Sequence, residues 1–223
     1  SIKDFCVEAR KLKSDFKVMV DLPGSKPRLG YLGTPRFVVH GQSLTLSYSS
    51  KYINNDLIPT ECLSKYQSAI KVGHRILVND GKTTLEVCEV SSDHIKVVLV
   101  DKNAIIMSGR SLNLPDSEVR FSAFTSLDED SLRDLCDVGI DMVAVSMVND
   151  SSDICRVRNV LETLDLPVEL IAKIETPEAL LHLDEIVENS DSLMIARGDL
   201  TTLCGGVNLF SAQEQIIKAG SVF

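Results

Sequence analysis

No apolar run among the 223 residues reaches the roughly 18 needed to span a membrane, and the opening Ser1-Ile2-Lys3-Asp4 does not read as a signal peptide. There is no concentrated basic patch. The 23 Lys+Arg stand against 32 Asp+Glu, and the resulting net charge of −9 repels nucleic acid and anionic membrane. Arg10, Lys11 and Lys13 sit among apolar residues at helical spacing and read as a solvated helix face. Neither G-x-x-x-x-G-K-S/T nor G-x-S-x-G occurs, which excludes P-loop NTPases and α/β-hydrolases. The six cysteines (Cys6, Cys62, Cys88, Cys136, Cys155, Cys204) contain no C-x-x-C pair and lie mostly in apolar stretches. They read as buried free thiols of a cytoplasmic protein. His40, His74, His94 and His182 are isolated, with no two at metal-ligand or triad spacing. Repeats, heptads and low-complexity segments are likewise missing. What is present is a 44% apolar content, ample for a core.

The chain changes character twice. Ile2, Phe5, Cys6, Ala9 and Leu12 share one helical face, and Phe16–Val20 is a short apolar run that predicts a buried strand. From about Tyr31 to Pro115 short alternating or β-branched runs take over: Arg36–His40, Ser43–Ser47, Arg75–Val78, Thr83–Val90 and His94–Val100. Val78-Asn79-Asp80-Gly81 carries the Asp-Gly signal of a tight hairpin. After Pro115 helix and strand alternate. Ser126-x-x-Glu129 and Ser211-x-x-Glu214 read as capping boxes, and Thr176-Pro177 as a cap followed by proline at the first helical position. Met142–Ser146, Val168–Glu175 and Leu193–Ala196 are near-continuous apolar strands, and Ser221-Val222-Phe223 looks like the start of another. This pattern predicts a parallel α/β sheet or barrel, with the β stretch inserted after its first strand. The expected division is 1–30 and 116–223 for the α/β part and 31–115 for the inserted β domain.

Ligands of parallel α/β folds gather at the carboxyl ends of strands. Lys173 and Glu175 close one strand and, two residues apart, point to the same side. A Lys and a Glu together on an interior side are costly to bury unless a ligand or metal shares the site. Arg197-Gly198-Asp199 follows the next strand and brings a second carboxylate to the same rim. Two carboxylates suit a hard divalent cation such as Mg²⁺, and Gly198 lets a small anion approach main-chain N–H groups. Asp21 lies at the end of the first strand, ahead of a Gly- and Pro-bearing loop that carries Lys26 and Arg28.

The run Ile171-Ala172-Lys173-Ile174-Glu175, then Leu183-Asp184-Glu185-Ile186, then Leu193-Met194-Ile195-Ala196-Arg197-Gly198-Asp199-Leu200 closely resembles the core of the pyruvate kinase family. Asp21 to Gly30, Ile76 to Gly81 and Asn113-Leu114-Pro115 resemble, in order, that family's entry to its mobile B domain, the B-domain hairpin and the return to the barrel. The resemblance implies a partial (β/α)8 barrel of the phosphoenolpyruvate/pyruvate superfamily with an inserted small β-barrel domain. It further implies phosphoryl transfer from phosphoenolpyruvate to ADP, giving pyruvate and ATP. Lys173 would then stabilise the transferring phosphoryl group, and Glu175, Asp199 and Asp21 would serve metal sites, Mg²⁺ (or Mn²⁺) and K⁺. Gly198, Asp199 and Thr201 would bind the substrate, and Arg28 and Asp80 the nucleotide. A homo-oligomer in the cytoplasm, with no nucleic-acid or membrane partner, accompanies that picture.

The departures fall on the nucleotide and monovalent-cation side. Asp21-Leu22-Pro23-Gly24-Ser25 stands where the family has Asp-Thr-Lys-Gly-Pro, Asn79 stands for an aspartate, and Asn149 for an arginine. A metal-dependent pyruvate-enolate aldolase or lyase of the same superfamily, or a catalytically inactive binding relative, are therefore alternatives. With about 85 residues in the insertion, about 140 are left for a barrel that needs roughly 250, so the expectation is a fragment with about five of eight strands.

Overall fold

A computed structural model describes residues 2–13, 15–49, 57–203 and 208–221. In chain order, α1 (Ile2–Leu12) leads to β1 (Met19–Leu22). Eight strands follow: β2 (Arg36–Val38), β3 (Ser43–Ser47), β4 (Leu57–Pro59), β5 (Arg75–Val78), β6 (Thr83–Val90), β7 (His94–Leu99), β8 (Ala104–Ile106) and β9 (Leu112–Asn113). Then come α2 (Ser126–Leu135), β10 (Met142–Val145), α3 (Ser151–Thr163), β11 (Glu169–Ile174), α4 (Pro177–Leu181), α5 (Leu183–Asn189), β12 (Ser192–Ile195), α6 (Arg197–Leu203) and α7 (Leu209–Gly220). The chain forms two compact units, one from Ser1–Ser25 with Phe121–Phe223, the other from Lys26–Arg120.

The first unit is built on a parallel sheet in the order β1-β10-β11-β12. Its register runs straight across: Leu22 pairs with Val145, Val145 with Ala172, and Ala172 with Leu193. Because side chains alternate along each strand, these residues and their i±2 neighbours share one face. On that face Leu22, Val143, Val145, Leu170, Ala172 and Ile174 join Ile154, Val157 and Leu161 of α3 and Ile186 of α5 in one buried cluster. The opposite face carries Asp21, Ala144, Ile171 and Lys173, and is the one free for chemistry.

Local signals start and stop the helices. In α3, Asp150 caps by accepting from Ser152 N, and Thr176 caps α4 by accepting from Ala179 N ahead of Pro177. The first capping box falls one residue earlier than the spacing suggested: Thr125 accepts from Asp128 N, and Asp128 accepts from Thr125 N. A threonine hydroxyl and the shorter aspartate arm close the box as well as Ser and Glu. Ser211 and Glu214 lie inside α7, which is preceded by Asn208, so the second predicted box does not exist. The helix that opens at Thr176-Pro177 is broken at His182 into α4 and α5.

Other expectations are corrected on the α1 side. The first strand starts at Met19 rather than Phe16. Cys6 is buried, but Phe5 is 67% and Leu12 91% exposed, so the apolar face of α1 is only partly covered. Arg10 is not a solvated charge: it donates to the carbonyls of Val138 and Gly139 and to Asp141 Oδ2. Gly139, at φ +72, ends the turn after α2 there. The cysteines also differ from expectation. Among the described residues they are free thiols, but Cys88 and Cys155 are exposed, Cys62 and Cys136 half-buried, and only Cys6 buried. Cys204, Val222 and Phe223 lie outside the described residues, and with the last two the predicted further strand.

The second unit holds a six-stranded sheet, β4-β3-β7-β6-β5-β9, and a two-stranded one, β2-β8. All its pairings are antiparallel except β3 with β4. Leu46, Ile58, Leu63, Ile76, Leu85, Ile95, Val97 and Leu99 are buried in it. In the β5–β6 turn Lys82 N donates to Asn79 O, and the central pair Asp80-Gly81 has φ +57 and +77, both left-handed as the Asp-Gly signal requires, with Asn79 ahead of them also at +56. Short strands β4, β8 and β9 carry too few residues to show a period, and neither they nor the 3-10 stretch Glu61–Ala69 were anticipated.

Candidate active site

Parallel strands in register deliver their carboxyl ends to one rim. Asp21 of β1 is level with Ala144 and Ile171, and two residues further along the same face come Ser146, just beyond β10, and Lys173 of β11. Glu175 follows two residues later, immediately before the cap of α4.

These groups converge. Lys173 Nζ donates to Asp21 Oδ1 and Oδ2 at 2.9 and 3.0 Å and to Ser146 Oγ at 2.7 Å. The Ser146 hydroxyl in turn donates to Asp21 Oδ1 at 3.1 Å. Glu175 Oε1 lies 3.2 Å from the same ammonium, and Glu175 Oε2 accepts from Met147 N at 2.9 Å. Glu175 is 1% and Lys173 12% exposed, whereas Asp21 is 55% exposed, so the ion cluster runs from the interior to the surface. Burial acts to lower the Lys173 pKa, but the carboxylates of Glu175 and Asp21 outweigh it and hold the ammonium above the usual lysine value. Glu175 goes the other way from an ordinary carboxylate. Its burial raises its pKa, Lys173 opposes that, and the charge of Asp199 adds to the rise.

That repulsion bears on the metal question. The Asp199 carboxylate is close enough to Glu175 to disfavour its ionisation, and Lys173 divides its charge between Glu175 and Asp21. Two neighbouring carboxylate side chains are oxygen donors that fit a hard dication that keeps waters in its shell. Among the described residues no group of three or more His, Cys, Asp or Glu side chains gathers as a metal site, so protein ligation would rest on this pair.

The remaining predicted residues are placed as follows. Arg197-Gly198-Asp199, just after β12, opens the short helix α6, because Leu200 N closes onto Ala196 O and Leu200 is fully buried. Gly198 is exposed in the first turn of α6, and a Cβ built there would meet nothing within 4 Å. The Thr201 hydroxyl donates to Arg197 O within the helix at 2.7 Å. Arg28 and Asp80 belong to the second unit. Arg28 Nη1 donates to Gly109 O at 3.1 Å, and Asp80 accepts from Ser111 Oγ at 3.0 Å. Asn149 is buried: its side-chain amide is directed at Phe121 O, Met147 O and Asp153 Oδ2, each at 3.0 Å. Ser146 and Met147 were missed as site residues. The signal for Ser146 was its place just beyond β10, in register with Lys173; for Met147 there was none, since its contribution is a backbone N–H.

A parallel sheet with helices on one face, its charged groups at the strand ends of the other, and a β unit inserted after its first strand is an interrupted (β/α) barrel. The family profile described as "pyruvate kinase, barrel domain" matches residues 2–222, and the chain belongs to the pyruvate kinase family. It is 30% identical over 218 residues to the pyruvate kinase of Thermococcus litoralis, covering 94% of this chain and 44% of that protein. A relative from Solanum tuberosum, named "pyruvate kinase, cytosolic isozyme", is 33% identical over 205 residues, covering 90% of this chain and 40% of its own length. The crystal structure of pyruvate kinase from Pyrobaculum aerophilum superposes with a TM-score of 0.78 at 28% identity, over 98% of this chain and 48% of that one. The chain thus spans less than half the length of these relatives. Among the described residues no helix is long and apolar enough to cross a membrane.

Proposed function

We propose that the site serves phosphoryl transfer from phosphoenolpyruvate to ADP, giving pyruvate and ATP. The observation that carries this reading is the Lys173 ammonium, largely buried and held at once by Asp21, Ser146 and Glu175. A loose phosphoryl transition state spreads charge over its equatorial oxygens and chiefly needs a fixed positive group beside them. Asp21 and Ser146 fix where Nζ points, and the neighbouring carboxylates keep it charged. Glu175 and Asp199 would hold Mg²⁺ or Mn²⁺, which when bound polarises substrate oxygens and offsets their charge. Gly198, Asp199 and Thr201 are assigned to the substrate carboxylate, the Thr201 hydroxyl by exchanging its bond to Arg197 O. Arg28 and Asp80 are assigned to nucleotide phosphate and its metal, and Asp21 also to a K⁺ site. Function as a cytoplasmic homo-oligomer belongs to the same reading.

One observation favours a second reading. Both nucleotide candidates are engaged inside their own unit, Arg28 with Gly109 and Asp80 with Ser111, and Leu22-Pro23 replaces the family's Thr-Lys. Chemistry on a pyruvate enolate without nucleotide, or ligand binding alone, would need neither. Incubating the chain with phosphoenolpyruvate, Mg²⁺ and K⁺, with and without ADP, and following pyruvate separates these. ADP-dependent pyruvate is the expected result. No turnover overturns the kinase reading, and a parallel incubation with a 4-hydroxy-2-oxo acid that releases pyruvate without nucleotide would support the second.

A further inference from the structure

We propose that Met147 is a positioning residue for the Glu175 carboxylate, its left-handed backbone aiming a buried N–H at Oε2. The inference rests on the reading of Glu175 as a metal ligand. Among the described residues four other than glycine have positive φ: Asn79, Asp80, Met147 and Asp165. Asn and Asp tolerate the left-handed region through short polar side chains. Asn79 and Asp80 form the β5–β6 turn, and Asp165 follows the C-cap of α3. Met147, at φ +58, is different in kind: long, apolar, 0% exposed, and on a turn that ends neither a hairpin nor a helix.

Its surroundings hold it there. Ser146 N donates to Leu22 O at 3.1 Å and keeps the preceding residue on the sheet. The Met147 carbonyl accepts from the buried Asn149 side chain at 3.0 Å. Between these anchors the Met147 N–H reaches Glu175 Oε2 at 2.9 Å, with both groups buried. A strained conformation persists where its surroundings over-determine it, and such sites cluster where a ligand must be oriented. Partners that orient a ligating carboxylate typically change metal affinity 10–100-fold when lost.

Two variants of similar volume separate backbone geometry from packing. Met147→Ile is β-branched and resists positive φ, whereas Met147→Leu is not. Mn²⁺ affinity, read by electron paramagnetic resonance of the free ion, is expected to fall about 10–100-fold in Met147→Ile and to stay near the parent value in Met147→Leu. Loss of thermal stability in Met147→Ile with unchanged Mn²⁺ affinity would overturn the inference. Glu175→Gln tests the underlying reading: if it binds Mn²⁺ as the parent does, Glu175 is not a ligand. A second measurement needs no folded isoleucine variant. The Met147 amide proton, deshielded by a carboxylate acceptor, should move upfield in Glu175→Gln. A resonance that stays in place would show that the N–H does not hold the carboxylate, whatever the metal does.

Discussion

Lys173 donates to both carboxylate oxygens of Asp21 although 152 residues separate them in sequence. The contact closes the rim of the sheet from β1 to β11, and the Ser146 hydroxyl fills the gap between. It also ties the ammonium to a surface carboxylate on one side and to the buried Glu175 on the other.

Lys173→Met removes the charge at the centre of this arrangement. Turnover in the pyruvate-release assay is expected to fall by about 10³-fold, the scale for losing one preorganised electrostatic contact. Mn²⁺ binding should be largely retained, because the Glu175 and Asp199 carboxylates remain. Near-normal turnover would show that the role assigned to Lys173 is wrong.

Gly198→Ala separates a binding role from a structural one. Nothing lies within 4 Å of the position a Cβ would take, and the residue is in a helix without positive φ. Thermal stability should hold or rise, by at most about 1 kcal/mol from helix propensity. If the first turn of α6 receives the substrate carboxylate, the same methyl group should raise the KM for phosphoenolpyruvate. Unchanged KM would remove Gly198 from the site.

Gly24→Ala tests the turn that follows Asp21. Gly24 has φ +62, and a Cβ there would sit 2.5 Å from Ser122 O and 3.1 Å from Ala123 O. Left-handed backbone costs an L-residue about 1–2 kcal/mol, and the clash with main-chain oxygens adds to it. A loss of more than about 2 kcal/mol in urea unfolding is expected. A neutral substitution would contradict the packing of this turn on Ser122.

Asp141 sets an acid limit to stability. Its carboxylate accepts from Val18 N and receives Lys17 and Arg10, which hold its pKa below the usual value against a smaller effect of burial. The stabilisation is therefore complete above the ordinary Asp pKa of about 3.9 and is lost as pH falls through the lower folded value. Asp141→Asn should cost about 1 kcal/mol at neutral pH. Urea melts at neutral pH and at about pH 3 should show the difference between parent and variant shrinking in acid. A constant difference would mean that the charge of Asp141 is not what stabilises this corner.

Much of the architecture could be read from local pattern. β3, β5 and β6 have the predicted bounds, Asp80-Gly81 has the left-handed backbone of the predicted turn, and Thr176-Pro177 caps the predicted helix. Each depends on residues near one another in the chain. The misses share the opposite property. Arg10 was read as solvated because its partners, Val138, Gly139 and Asp141, lie some 130 positions away. Leu12 shares the apolar face of α1 yet is exposed, because amphipathic spacing reports which face is apolar, not what covers it.

By itself the sequence determined the alternation of strands and helices, the pairing of Lys173 with Glu175 on one face, and the arrival of Asp199 just after the next strand, since periods of two and 3.6 are properties of the chain. Only the tertiary structure decided that Asp21 and Ser146 share that ammonium, that Asn149 braces Met147 rather than facing solvent, and that a methionine N–H holds Glu175. Those relations depend on parallel register between strands far apart in sequence and on a backbone angle that no side-chain pattern encodes.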